Sequence, residues 1–264
     1  MEKSGSFILE YLKDTKYYEL FGHKIQLPQL PPINILGISI DLSITRNVVL
    51  LFISSLIIFL SFYFSFRKEK LIPNRFALLL EYIIIFIRDN IVYPTLGRKL
   101  GDKYFPFIAT LFLFIIISNL MGLVPFMASP TSNLSVTAGL SLVVFFVILY
   151  EGIKTHGLFG YFKSLIPGGI PFWLIPVMLP MEIIGLLIRV TVLAIRLFAN
   201  MLSGHINIII LFFLVILTKS LLISPLALGI AIFVSLIELL VAFIQAYIFS
   251  ILSVMFISMS IKSH

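Results

Sequence analysis

Two apolar segments, residues 180–217 and 226–261, contain the side chains that are able to carry charge through an apolar environment. Their ionisable members are Glu182, Arg189, Arg196, His205 and Glu238. An arginine or an acid at the middle of a bilayer costs at least about 2.5 to 3.5 kcal/mol, so intramembrane charges are functional candidates by default. These residues therefore predict a charge pathway rather than a packing motif.

The first segment carries a polar stripe with a period of seven residues. Its members are Glu182, Arg189, Arg196 and Ser203. Residues seven apart share one face of an α-helix, and Asn200, four residues beyond Arg196, joins that face. His205 follows Arg196 by nine residues, about 180° around a helix of 3.6 residues per turn. We therefore expect His205 to face the other way.

The second segment has two polar residues on one face, Glu238 and Gln245, which are seven residues apart. The intervening sequence TKSLLISP predicts a helical hairpin in which residues whose numbers sum to about 441 face each other. Gln245 then lies level with Arg196, and Glu238 lies level with Ser203 and His205. The hairpin predicts a polar layer around the arginine and a separate His/Glu layer.

Two of these pairs also have a structural interpretation. His205 and Glu238 are suited to a buried hydrogen-bonded pair that holds the two helices together. Asn200 and Gln245 are suited to hydrogen bonds between membrane helices, worth on average about 0.6 kcal/mol each. Both interpretations stay open at the level of the sequence.

Depth separates Arg196 from the other charged residues of its stripe. It lies about 16 residues from one end of its segment and about 21 from the other, too deep to reach the headgroups easily. Glu182 or Arg189 alone is also compatible with an interfacial position, where a long side chain extends to the headgroups. Arg196 is therefore the strongest functional candidate.

The composition excludes a soluble globular enzyme. Of the 264 residues 60% are hydrophobic and only 12% are charged, against about 25% charged residues in soluble domains. The net charge of +7 comes from short basic clusters beside apolar runs, so it indicates membrane topology and no nucleic-acid partner. The lack of cysteine excludes disulfides and thiolate metal sites, and the sequence predicts no catalytic residue, cofactor or metal.

The chain is expected to form a single membrane domain, residues 1–264, that starts with an N-terminal extension over residues 1–46. Prolines in residues 25–46 favour an extended or turn-rich linker. Residues 48–66 are uncharged and long enough to cross a hydrocarbon core of about 30 Å. The basic sequence RKEKLIPNR follows and lies inside by the positive-inside rule, so the extension lies outside.

Residues 76–96 form an apolar segment with a charged face. Glu81, Arg88 and Asp89 recur at spacings that place them on one side of a helix. Basic loops at both ends predict an amphipathic helix in the membrane interface. A re-entrant or transmembrane segment is the alternative.

Residues 104–150 contain no charge and predict two spans joined outside at the turn-rich sequence ASPTSN. Residues 151–173 are expected to be an inner loop with Trp173 at the interface. Residues 174–261 are the hairpin, whose segments of about 37 residues make helices of roughly 55 Å and must either tilt by about 55° or bend. The expected fold is an all-α polytopic membrane protein with about five crossing helices, an interfacial helix and an inner carboxyl terminus.

Three motifs together resemble one family. IRLFANMLSGH at residues 195–205 resembles the signature of subunit a of the rotary F-type ATP synthase, in which Arg196 would be the invariant arginine. SNLMGLVPF at residues 118–126, followed by PTSN and then Thr137, resembles an earlier span of that family. ELLVAFIQAYIF at residues 238–249 resembles its last helix. The resemblance covers roughly residues 40–261.

This resemblance implies a stator that forms two offset half-channels for protons against a rotating ring of small c subunits, each bearing a carboxyl group. It also implies the F-type ATP synthase complex and its peripheral stalk subunit b as partners, with ATP chemistry on other subunits. A ring carboxyl that faces lipid must be protonated, whereas the permanent charge of Arg196 favours its ionised form. Proton flow then requires rotation, because release and reloading occur on either side of the arginine.

The resemblance also distributes roles among the polar residues. His205, Glu238 and Asn207 are expected to form the outer half-channel, with Gln245 and Asn200 flanking Arg196. The family uses both arrangements of the His/Glu pair. The length and the lack of an Arg- and Ser-rich transit segment favour a bacterial plasma membrane over the mitochondrial inner membrane.

Two other classes of function remain in view. An ion-coupled secondary transporter would have a midplane site, but such transporters commonly show two related halves, and residues 1–130 and 131–264 show no repeat. A purely structural membrane subunit leaves a deeply placed Arg196 unexplained.

Overall fold

A computed structural model describes residues 17–20, 23–26, 28–29, 33–35, 38–40, 43–67, 74–124, 129–157, 160–161, 172–218 and 223–261. Five helical stretches within these ranges are long and apolar enough to cross a membrane, namely Arg46–Phe66, Arg75–Gly122, Leu134–His156, Ile175–Gly204 and Leu228–Ile261. This number agrees with the predicted crossings. The chain is an all-α polytopic membrane protein, as the sequence predicts.

The described part of the extension contains short strands that were not predicted; only residues 25–46 were expected to be an extended or turn-rich linker. β1 (Tyr17–Leu20) pairs with β2 (His23–Gln26), and β3 (Ile33–Ile35) pairs with β4 (Ile38–Ile40), both antiparallel. Tyrosines in β1 and isoleucines in the other three strands favour such hairpins. The strands precede the helical membrane region and leave its all-α character unchanged.

The helix α1 (Arg46–Phe66) covers the predicted first span. α2 (Arg75–Phe86) begins at Asn74, whose side chain accepts a hydrogen bond from the Arg75 backbone N–H at 3.1 Å. It continues through a π-helical turn, Ile87–Val92, into α3 (Tyr93–Gly122). The predicted helix over residues 76–96 is therefore present.

A bend at Gly97 separates that helix from the span that follows it. Gly97 has φ +72°, a left-handed conformation that favours glycine. The bend brings the Tyr93 hydroxyl to 2.6 Å from Asp102 Oδ1, to which it donates a hydrogen bond, and packs the Tyr93 ring against Gly101. Glu81 is exposed, but it lies one residue after the buried Leu80 and four after the buried Ala77, and the exposed surface of the helix is otherwise largely apolar. An interfacial position for this helix stays a prediction.

α4 (Leu134–His156) is longer than expected, because residues 151–156 were predicted to be loop. Glu151 is buried at 6% exposure, and its Oε1 lies 2.6 Å from Lys103 Nζ of α3. A paired carboxylate is tolerated in a packed interface, whereas the sequence analysis had treated a charge as the end of the span. The helix ends at Gly157 with φ +73°.

The last two helices are α5 (Ile175–Thr218), with 44 residues, and α6 (Ile223–Ile261), with 39 residues. At 1.5 Å per residue they measure about 66 and 58 Å, roughly twice the hydrocarbon thickness. Both helices are far longer than a span requires, as predicted, and α5 exceeds the predicted length of about 37 residues. A steep tilt in the bilayer stays a prediction. Trp173, predicted to lie at the interface, is 75% exposed just before α5.

The core lies where α3, α4, α5 and α6 meet the π-helical turn. Its fully buried members include large apolar side chains such as Ile87, Phe112, Ile115, Ile148, Leu197, Phe249 and Ile257. Rings of Phe86 and Phe112 both approach Phe243 of α6, with centroids 6.4 and 5.7 Å away. This packing fixes α5 and α6 against the rest of the chain, so that the polar face of the hairpin has a defined geometry.

Candidate functional site

Arg196 lies on α5 at the boundary between the packed hairpin and its apolar surface. Leu193 and Leu197 on either side of it are buried, whereas Val192 and Ile195 are about half exposed. Arg196 itself is partly buried, and among the described residues its guanidinium has no hydrogen-bond or ion-pair partner. Since a guanidinium stays charged in proteins, Arg196 places a permanent positive charge at this boundary.

One helical turn further along α5, Asn200 contacts α6. Asn200 Nδ2 donates a hydrogen bond of 2.8 Å to Gln245 Oε1, and Gln245 is 2% exposed. The buried Ala242 and Ala246 let the helices approach at this point. Gln245 was expected to lie level with Arg196, but it pairs with Asn200, one helical turn away. The register of the two helices depends on which side chains pack across the interface, and counting residues from the loop gives it only approximately.

Glu238 lies on α6 beside Gly204 of α5. A Cβ atom at Gly204 would lie 2.6 Å from Glu238 Oε1, which places the carboxyl against the helix backbone at the level that the hairpin prediction gave. Glu238 Oε1 is buried and has no hydrogen-bond partner in the described part of the chain. His205 belongs to α5, but its side chain lies outside the described atoms, so the predicted His/Glu contact stays a prediction.

A cavity of about 300 Å³ is lined by four of the nine predicted polar residues and by Asn119. Its polar lining residues are Asn119, Asn200, Ser203, Asn207 and Glu238. The volume is sufficient for several water molecules, and polar groups face it from three helices. The structure thus brings together four residues predicted from the sequence, and their role in proton transfer stays a prediction.

Asn119 of α3 is a lining residue that the sequence analysis did not assign. It is 1% exposed, its Oδ1 lies 2.6 Å from Thr131 Oγ1, and its Nδ2 has no partner among the described residues. The only sequence signal was the motif SNLMGLVPF, because nothing in the spacing along α3 links residue 119 to the hairpin.

Glu182 and Arg189 form an ion pair away from the cavity. Arg189 Nη2 lies 3.1 Å from Glu182 Oε1, and both side chains are about one-third exposed. The contact agrees with their predicted shared face. Each of these two charges has a partner, whereas the Arg196 guanidinium has none among the described residues.

Comparison with known proteins gives a consistent result. The family model for the ATP synthase A chain matches residues 48–258. ATP synthase subunit a of Myxococcus xanthus strain DK1622 is 40% identical over 84% of this chain and 74% of its own length. ATP synthase subunit a of Chloroherpeton thalassium strain ATCC 35110 / GB-78 is 37% identical over 94% of this chain and 76% of its own length. With matched residues that include Arg196, the cavity and both long helices, the chain belongs to the ATP synthase A chain family.

Proposed function

We propose that this chain is the proton-conducting stator of an ATP synthase Fo sector. Membership in the ATP synthase A chain family supports the assignment to a proton-translocating Fo subunit. The finer proposal is that α5 and α6 face a ring of c subunits and form two half-channels that couple proton flow to rotation. Peripheral stalk subunit b would hold the chain in place, and ATP synthesis would occur on other subunits.

The observation that carries this proposal is Arg196, which has no partner among the described residues, one helical turn from a polar cavity. Arg196 and Asn200 are separated by one helical turn, about 6 Å along the axis, and Asn200 lines the cavity. A proton in the cavity therefore lies close to the level of the arginine, and it needs to cross little packed hydrocarbon to reach it. The exposed apolar residues Val192 and Ile195 provide a surface on which lipid-buried ring subunits are able to slide.

The proposed mechanism follows from two solvation costs. A ring carboxyl in lipid is neutral, because an isolated carboxylate in an apolar medium is costly. Beside Arg196 the ionised carboxylate is stabilised, so the proton leaves on one side of the arginine and a new one binds on the other. A transmembrane potential supplies about 2.3 kcal/mol per charge per 100 mV to this cycle.

The Asn200–Gln245 hydrogen bond has a positioning role in this proposal. It joins α5 to α6 one turn from Arg196, with Asn200 at the cavity and Gln245 buried between the helices. Amide side chains are polar enough to hydrate the path and carry no charge that would trap a proton. The hydrogen bond thus keeps the arginine at a fixed distance from the proton-bearing cavity.

The bacterial relatives support a bacterial plasma membrane as the location. With the carboxyl terminus in the cytoplasm, as the basic loops predict, the bend of the hairpin lies toward the same side as the N-terminal extension. We assign the cavity to the outer half-channel, and the Glu182–Arg189 pair then lies on the inner side of Arg196.

Replacement of Arg196 tests the proposal. In the assembled complex, Arg196→Ala should abolish proton-driven ATP synthesis in membrane vesicles, and Arg196→Lys should lose nearly all of it, since lysine is able to release its proton. Arg98→Ala serves as the control, because it removes an exposed arginine beside the bend at Gly97 of α3. Normal synthesis by Arg196→Ala in fully assembled complexes would refute the stator mechanism.

A further inference from the structure

Two positive side chains at the ends of membrane helices lack an acidic partner. Four lysine or arginine side chains in the described part of the chain lie over a tyrosine ring: Arg67 over Tyr63, Arg88 over Tyr93, Lys103 over Tyr104 and Lys154 over Tyr150. Arg88 and Lys103 also have a carboxylate oxygen at 2.9 and 2.6 Å. Arg67 and Lys154 are exposed and have no ion-pair partner among the described residues. These two charges are therefore uncompensated within that part of the chain.

Both cations end the same three-residue column on a helix surface. A phenylalanine, a tyrosine and a cation follow one another at intervals of four residues: Phe59, Tyr63 and Arg67 in α1, and Phe146, Tyr150 and Lys154 in α4. Residues four apart lie above one another on one helix face. The phenylalanines are 64% and 63% exposed, and each cation lies 5.5 Å from the centroid of its ring. Each column is therefore apolar at one end and positive at the other.

The two columns reach the same side of the membrane region at a similar depth. The first half of α1 packs against the end of α3 through Leu50 and Met121, and the turn Pro130–Ser132 leads from that end into α4. Tyr63 lies 17 residues after the first residue of α1, and Tyr150 lies 16 residues after the first residue of α4. These intervals correspond to about 26 and about 24 Å, close to a hydrocarbon thickness of about 30 Å. The tyrosines thus lie near the edge of the hydrocarbon, and the cations, about 6 Å further along, lie at headgroup level.

The ligand that fits such a column has a hydrocarbon chain and a negative headgroup. A phosphate oxygen accepts hydrogen bonds from a guanidinium or an ammonium, while the exposed phenylalanine contacts an acyl chain. The carboxyl end of a helix carries a partial charge of roughly −0.5, which is smaller than the unit charge of the cation, so the potential there stays positive. A zwitterionic headgroup brings its own ammonium and gains less from this potential than an anionic one.

We propose that the ends of α1 and α4 on the predicted inner side each bind an anionic phospholipid of the phosphatidylglycerol type, through Arg67 and Lys154. The tyrosine is a positioning residue, because its ring restricts the cation and leaves the N–H groups available to the phosphate. Since α4 packs against α5 and α6, a lipid bound at Lys154 helps to set the depth of the hairpin in the bilayer. This inference does not depend on the proposed proton path.

Photolabelling of the complete complex tests the two sites. The complex is reconstituted in phosphatidylcholine vesicles with a trace of phosphatidylglycerol or phosphatidylcholine that carries the same photoreactive acyl chain, and labelled peptides of this chain are quantified by mass spectrometry. Peptides that contain Phe59 and Phe146 should be labelled about five-fold more by phosphatidylglycerol, the factor that one basic residue near a headgroup contributes. Equal labelling by the two lipids would overturn the proposal.

Substitution of each cation locates the preference. Lys154→Gln should reduce the preference in α4 to about one and leave that in α1 unchanged, Arg67→Gln should do the converse, and Lys154→Arg should retain it. Lys99→Gln is the matched control, because Lys99 is exposed on the same predicted side and lies over no ring in the described part of the chain. An equal loss with Lys99→Gln would indicate general surface charge and would overturn the sites. Loss of assembled complex with Lys154→Gln, together with equal labelling of the parent by both lipids, would show that a protein partner covers the cation and would also overturn them.

Variants of Tyr150 test the positioning role. Tyr150→Phe keeps the ring beneath the Lys154 ammonium and should retain the preference for phosphatidylglycerol. Tyr150→Leu removes the ring at an exposed position, and the preference should fall about two-fold, because the lysine side chain is then less restricted. An unchanged preference in Tyr150→Leu would refute the positioning role of the tyrosine.

Discussion

The close approach of Gly204 to Glu238 allows a steric test of the cavity that replaces none of its polar side chains. In Gly204→Ala the new Cβ would lie 2.6 Å from Glu238 Oε1 and 2.9 Å from Glu238 Cδ. Ordinary contact begins near 3.4 Å, so the carboxyl group must move by about 0.8 Å. Because the atom in the way is the end of a flexible side chain, the helices are able to stay packed while the carboxyl moves.

The displacement should affect proton transfer more than stability. Alanine is favoured over glycine within a helix by roughly 0.5 to 1 kcal/mol, which offsets part of the steric cost. A misplacement of about 1 Å in a reacting group is able to cost up to about 100-fold in rate. Because water molecules in the cavity are able to follow the carboxyl partway, we expect a loss of about three- to ten-fold.

The assay is ATP-driven proton pumping by the complete complex in membrane vesicles, normalised to the amount of assembled enzyme. Gly185→Ala is the matched control, since a Cβ at Gly185 on the same helix would meet nothing within 4 Å. Glu238→Asp, one methylene shorter, should partly rescue Gly204→Ala by withdrawing the carboxyl. Equal pumping by the Gly204→Ala and Gly185→Ala complexes would refute the placement of Glu238 in the path.

Two further predictions address the His/Glu layer and the α3–α4 ion pair. The complex with both His205→Glu and Glu238→His should pump protons faster than the complex with the more damaging single change, because each single change places two like groups together. Strictly additive losses of pumping would mean that the two side chains do not interact. Lys103→Met should lower the melting temperature of the detergent-solubilised complex more than Glu151→Gln, because the Glu151 side chain is 8% exposed and the Lys103 side chain 46%. A larger shift for Glu151→Gln would contradict this assignment of the buried partner.

Features that depend on residues close together in the sequence were predicted, and features that depend on contacts between distant segments were not. The helices, their number and the great length of α5 and α6 were predictable, because hydropathy and periodicity are properties of contiguous sequence. The continuation of α4 through Glu151 was not, since its stability depends on Lys103, which lies 48 residues earlier in the chain. A charge that ends a helix in one context extends it in another when a partner is present.

The sequence by itself determined which residues could carry charge and which of them share a helix face. A repeat of seven residues and the depth of Arg196 within its segment require no knowledge of neighbouring helices. Only the tertiary structure decided that Gln245 meets Asn200, and that Asn119 reaches the same cavity from α3. Such contacts depend on where small residues let helices approach and on how buried donors find acceptors, and both are settled by the packing of distant segments.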